Sequence, residues 1–209
     1  MTPLGTLIFS AIGALFVAGV AAALWWGMRD AGALDDALKR DGWHIERQNS
    51  GSTVRRIARR TRAGVAASIE VISSGINTKS VWTHVRVAAD TGDGEVLIER
   101  KSPGFLAADG MLAAATGFTP PPRWDGAQAS LAADHNCYAS SESAAQRWLT
   151  AANQQAILAY NQAAQQRVSV RVFQGALEAR WAREPADRVQ LEGILALLES
   201  LRRQQKAPL

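Results

Sequence analysis

Residues 65–87 read VAASIEVISSGINTKSVWTHVRV, and they decide the fold. Val65, Ala67, Ile69 and Val71 fall at every second position, as do Val81, Thr83, Val85 and Val87. Successive side chains of an extended chain point to opposite sides, so period two predicts strands with one face turned to a core. The second run sets Trp82, His84 and Arg86 on its other face.

Upstream, Trp43, Ile45 and Arg47 alternate with His44, Glu46 and Gln48, and Asn49-Ser50-Gly51 reads as a turn. Downstream, Asp90-Thr91-Gly92-Asp93-Gly94 leads through a hairpin connection into a strand over 95–100. Residues 53–62, TVRRIARRTR, fit two patterns. A helix would gather Val54, Ile57, Ala58 and Thr61 on one face, but Gly51 and Gly64 leave room for only about three turns. An edge strand, whose arginines block further pairing, is the favoured reading. These segments make a β-meander, expected to form an antiparallel sheet with one face toward a core.

Residues 102–130 are punctuated by Gly104, Gly110, Gly117 and Gly126 and stiffened by Pro120, Pro121 and Pro122, so they read as a long connection. A capping box at Ser143 and Gln146 opens a helix running to about Ala164, with Trp148, Leu149, Ala152, Ala156 and Tyr160 inward; alternatively Thr150 caps a second helix. Val168, Val170 and Val172 turn through Gln174-Gly175 into Leu177, Ala179 and Trp181. Asp187 and Gln190 cap a last helix with a stripe of Leu191, Ile194, Leu195, Leu198 and Leu201.

Residues 4–28, LGTLIFSAIGALFVAGVAAALWWGM, carry no charge. As a helix they would span about 37 Å, more than the roughly 30 Å hydrocarbon core of a bilayer. Trp25, Trp26 and Arg29 stand where an interfacial anchor is expected. A cleaved signal peptide ending near Ala21-Ala22-Ala23 is the rival, but no Lys or Arg precedes the run, and the run is long for a signal core. Arg29, Lys39, Arg40 and Arg47 follow the span, which predicts a single-pass anchor in the inner membrane with the domain on the cytoplasmic side. Ser10, Ala14, Ala18 and Ala22 form a small-residue stripe suited to a homodimer of such helices. The expected fold class is therefore α+β: a transmembrane helix over 1–28, then an antiparallel meander and a helix–hairpin–helix part in one domain over 29–209.

The element order, with Thr116-Gly117, Trp124-Asp125 and Leu149-Thr150 at its joints, resembles a class of uncharacterised bacterial single-pass membrane proteins that carry a membrane anchor and a soluble α+β domain. That resemblance implies no known chemistry and no catalytic residue.

Of the 209 residues 47% are hydrophobic, which excludes a disordered chain, and a single Cys excludes a disulfide framework. Phosphate-loop, dinucleotide, zinc-peptidase and serine-hydrolase motifs are missing, and no metal or cofactor is expected. Residues 39–62 hold eight Lys/Arg against Asp41 and Glu46. Arg55, Arg56, Arg59, Arg60 and Arg62 make a basic patch expected to meet anionic lipid headgroups of the bilayer, with nucleic acid disfavoured for want of a recognition motif. The expected function is non-enzymatic binding or scaffolding. The alternative is a hydrolase using Asp90, from the triplet Asp90-Thr91-Gly92, or the Asp134–Cys137 loop, whose residues are Asp134, His135, Asn136 and Cys137.

Overall fold

The computed structural model describes residues 32, 34–74, 80–101, 120–164, 168–185 and 187–205. They fall into two units divided after Trp43. In the first, residues 34–40 are helical. Gly42, at φ +80°, ends that helix, and the Trp43 N–H donates to Leu38 O at 3.0 Å. Left-handed backbone of this kind is what glycine tolerates past a helix end.

Among the described residues the second unit has eight strands: β1 (His44–Ser50), β2 (Thr53–Arg62), β3 (Val65–Ser74), β4 (Ser80–Ala88), β5 (Val96–Arg100), β6 (His135–Ala139), β7 (Ser169–Phe173) and β8 (Ala176–Trp181). Its helices are α1 (Ala129–Asp134), α2 (Glu142–Trp148), α3 (Ala151–Ala163) and α4 (Arg188–Gln204). The strands form one sheet in the order β1-β2-β3-β4-β8-β7-β5-β6, antiparallel at every pairing.

This corrects the expected fold class in two respects. First, the sheet is larger than the expected meander: it has eight strands, and the hairpin of the C-terminal part belongs to it, β8 pairing with β4 and β7 with β5. The reason is apolar matching: Val85 lies opposite Ala179 and Val87 opposite Leu177, so the joint buries both rows. Second, among the described residues no helix is long and apolar enough to cross a membrane. The transmembrane segment over 1–28, with Trp25, Trp26, Arg29 and the stripe Ser10, Ala14, Ala18 and Ala22, lies outside the described residues. The single-pass arrangement and the inner-membrane placement with a cytoplasmic domain are accordingly withdrawn. Residues 53–62 are a strand, as favoured, but an internal one, because β1 pairs outside it.

Cross-strand partners share a face, so the register sorts the side chains into two sets. One row crosses all eight strands: Ile45, Ala58, Ile69, Val85, Ala179, Val170, Ile98 and Cys137. From Ala58 onward every member is buried. A slip of one residue in any pairing would turn that strand's part of the row outward, which is how the pattern pins the register. The helices cover this face. Helix α4 packs on β4, β8 and α3, and His135, two positions before Cys137, has Nε2 3.2 Å from Asn161 Nδ2 of α3.

Thr150 does divide the helical run. Its hydroxyl accepts the Asn153 N–H at 3.2 Å to start α3, while Ser141, not Ser143, caps α2 by accepting from Ala144 at 3.1 Å. The buried face of α3 carries Asn153, Gln154, Ile157 and Asn161, in place of the expected Ala152, Ala156 and Tyr160. Asn153 Nδ2 donates to Trp148 O at 3.0 Å and Gln154 Nε2 to Leu149 O at 2.6 Å, so the carbonyls freed where α2 ends find partners. The proline run also has a place: Pro122 O accepts from Ala139 and the Trp124 N–H donates to Cys137 O, covering the outer edge of β6. Proline suits an edge, where its missing N–H breaks no ladder.

Candidate functional site

Period two sends the arginines of β2 to both faces of the sheet. Arg56, Arg60 and Arg62 share the register of Ala58, whereas Arg55 and Arg59 point to the face opposite the helices. No single flat patch holds all five. Beyond Ser52 up to Gly64 the chain has no Asp or Glu, so the β2–β3 end remains basic on either side.

On the face opposite the helices a second row runs Arg59, Ser68, Arg86, Glu178 and Arg171 through β2, β3, β4, β8 and β7. The row beside it contains Ile57, Glu70, His84, Arg180 and Ser169. Opposite charges knit this face across its strands. Arg86 Nε donates to Glu178 Oε2 at 2.5 Å, and its second arm lies 3.9 Å from Glu70. Arg55 pairs with Glu70, Arg180 with Glu99 at 3.0 Å, and Arg59 with Glu46 at 2.9 Å. Arg171 lies over the Phe173 ring at 3.6 Å from its centroid.

Glu178 is 2% exposed. Burial alone pushes its carboxyl up, but His84, with Nδ1 3.4 Å away, and then Arg86 outweigh that and hold it at about 2. It is therefore a fixed negative charge at neutral pH and has no proton to exchange there. Its task is to hold and orient Arg86.

Arg86 in turn faces a surface concavity of about 440 Å³. Arg59 and Arg86 supply its cations, Thr61 and Ser68 its hydroxyls, and Ala66, Ala67, Ala88, Gly175 and Ala176 the rest of its wall, which Arg60 also borders although its side chain belongs to the other face. The hollow exists because small residues fill neighbouring positions at one end of the sheet: Ala66 is opposite Thr61, and Ala88 is opposite Ala176. The chain turns sharply at the same end, with Gln174 at φ +47° and Gly175 at φ +75°, the left-handed pair of a two-residue hairpin. Gly175 is fastened there, its N–H donating to Thr91 Oγ1 at 3.0 Å and its carbonyl accepting from Ala89 at 2.9 Å.

The other singled-out residues lie elsewhere. The Asp90 side chain is 85% exposed, accepts the Gly92 N–H at 3.2 Å and has Arg147 at 3.5 Å. That is the geometry of a turn, while a protease needs two carboxylates sharing a proton. Asp134 ends α1, and Asn136 faces away from Cys137 on β6. Burial pushes the Cys137 thiol up to about 11, so it is not the thiolate a nucleophile requires. Trp148 and Trp181 are core residues, not platforms for bases. Ser68, Arg86, Ala66 and Ala176 were not singled out in the sequence. Only the outward position of Arg86 was legible, since its partners sit on strands far apart in the chain.

No protein-family model matches this chain, and no curated protein matches it. Among solved structures, the mycobacterial trehalose monomycolate transport factor A, TtfA, is similar at 12% identity and a TM-score of 0.48, covering 82% of this chain and 93% of that one. A likeness at that level carries no functional argument.

Proposed function

We propose that the chain is a non-enzymatic binding domain for anionic groups, with anionic lipid headgroups as its ligands. The supporting observation is the concavity, where the guanidinium groups of Arg59 and Arg86 and the hydroxyls of Thr61 and Ser68 lie on one face of the sheet without a carboxylate in the wall. Guanidinium forks match phosphate oxygens in both charge and geometry. The balance of eight basic against two acidic residues over 39–62 adds attraction over about one Debye length, roughly 10 Å at 0.1 M salt. The fixed charge of Glu178 and the protonated thiol of Cys137 agree with binding, not with proton transfer or nucleophilic attack.

The test compares the full chain on phosphatidylcholine vesicles with and without phosphatidylglycerol, at low and high salt. Anionic vesicles are expected to bind about tenfold tighter or more at low salt, since each basic residue near the surface is worth about 1 kcal/mol. The preference should shrink as salt shortens the screening length. Equal binding to both vesicles at low salt would contradict the proposal.

A further inference from the structure

We infer that the concavity is a built site for one phosphate group, gripped between Arg59 and Arg86 above Ser68; the inference rests on the anion-binding reading and names the ligand of that same site. Arg59, Ser68 and Arg86 are direct cross-strand neighbours on three consecutive strands. Strands lie about 4.8 Å apart, so the two arginine backbones stand roughly 10 Å from each other. Two guanidinium groups at that separation close on one tetrahedral anion, with the Ser68 hydroxyl beneath it. A carboxylate has only two oxygens for this set of donors. A phosphate monoester presents three free oxygens, one for each fork and one for the hydroxyl.

Both arginines are held in place without being used up. Arg86 Nε is engaged by Glu178, and one arm of Arg59 by Glu46. A guanidinium carries five N–H donors, so each keeps donors for a ligand. The Arg59–Glu46 pair has side chains 55% and 42% exposed, the kind of surface pair that is worth little and exchanges easily. Buried Glu178, by contrast, fixes the plane of Arg86. The row of small residues toward the sheet end leaves more room than a bare phosphate fills, space for the few atoms esterified to it.

Phosphate chemistry is common to a soluble phosphomonoester and to a lipid headgroup, and the experiment separates them. The full chain is titrated by calorimetry with glycerol 3-phosphate, and by co-sedimentation with phosphatidylcholine vesicles containing phosphatidic acid. Arg59→Ala removes one fork, and Ala66→Trp fills the hollow from an exposed position, which keeps the core intact. Arg203→Ala, far along α4, is the control. Wild type is expected to bind glycerol 3-phosphate saturably, one per chain. Arg59→Ala should weaken this about tenfold or more. Ala66→Trp should abolish it, and Arg203→Ala should leave it unchanged.

Glycerol 3-phosphate binding that does not saturate, or that Ala66→Trp leaves intact, overturns the phosphate site. If Ala66→Trp still prefers phosphatidic acid vesicles as strongly as wild type, the site is again overturned while the broader anion-binding reading stands. If saturable binding sensitive to Ala66→Trp occurs without any preference for anionic vesicles, the lipid reading falls. The phosphate site is then supported with a soluble ligand.

Discussion

Replacing Glu178 by alanine is expected to lower the free energy of unfolding by about 3 kcal/mol, because removing one partner of a buried ion pair leaves the other charge uncompensated. Glu178 accepts from Arg86 and has His84 Nδ1 3.4 Å away, and Arg171 lies directly opposite it in the sheet. The same magnitude follows from the lowered carboxyl pKa. The carboxyl is held at about 2 against an ordinary 4.5, which corresponds to about 3 kcal/mol. Because the folded value is the lower one, this stability is fully present above pH 4.5 and is lost as pH falls toward 2. Urea titrations of wild type and variant between those pH values should therefore converge as acid is added. Glu192→Ala, which breaks an exposed pair with Arg188, should cost less than about 0.5 kcal/mol. A loss below about 1 kcal/mol for Glu178→Ala, or one independent of pH, would show that this face is not organised by its charges.

Leu198→Ala should cost about 3 kcal/mol as well, for a different reason. Leu198 is fully buried, in line with Leu191, Ile194, Leu195 and Leu201 on the stripe that α4 presents to the sheet and to α3. Truncation removes the transfer free energy of the lost carbons and leaves a cavity that a sheet face cannot collapse to fill. Val189 on the same helix is 75% exposed, and Val189→Ala should change stability by less than about 0.5 kcal/mol. Similar melting curves for the two variants would mean that α4 is not the cover of the core face.

The sequence made the elements legible wherever local pattern decides them. The period-two runs over 65–71 and 81–87 are β3 and β4, and Asp187 caps α4 by accepting the Gln190 N–H at 2.8 Å. Strand order was not legible, because β4 meets β8 across about ninety residues and nothing in either strand's own pattern names its neighbour. The buried face of α3 was misread since Asn153, Gln154 and Asn161 go inward to satisfy backbone groups, a need invisible to hydrophobic periodicity. The arginines of β2 stood out in the sequence, but their division between two faces follows from the pleat. The concavity was hidden for the same reason as the strand order: Arg59, Ser68 and Arg86 become neighbours only through pairing.

The anion site is probed most directly by following the arginine Nε–Hε resonances of the full chain as inorganic phosphate is added. Arg59 and Arg86 should shift together and saturate, while Arg188 and Arg203 on α4 stay still. Small, unsaturating shifts spread evenly over all the arginines would contradict a site built between β2 and β4.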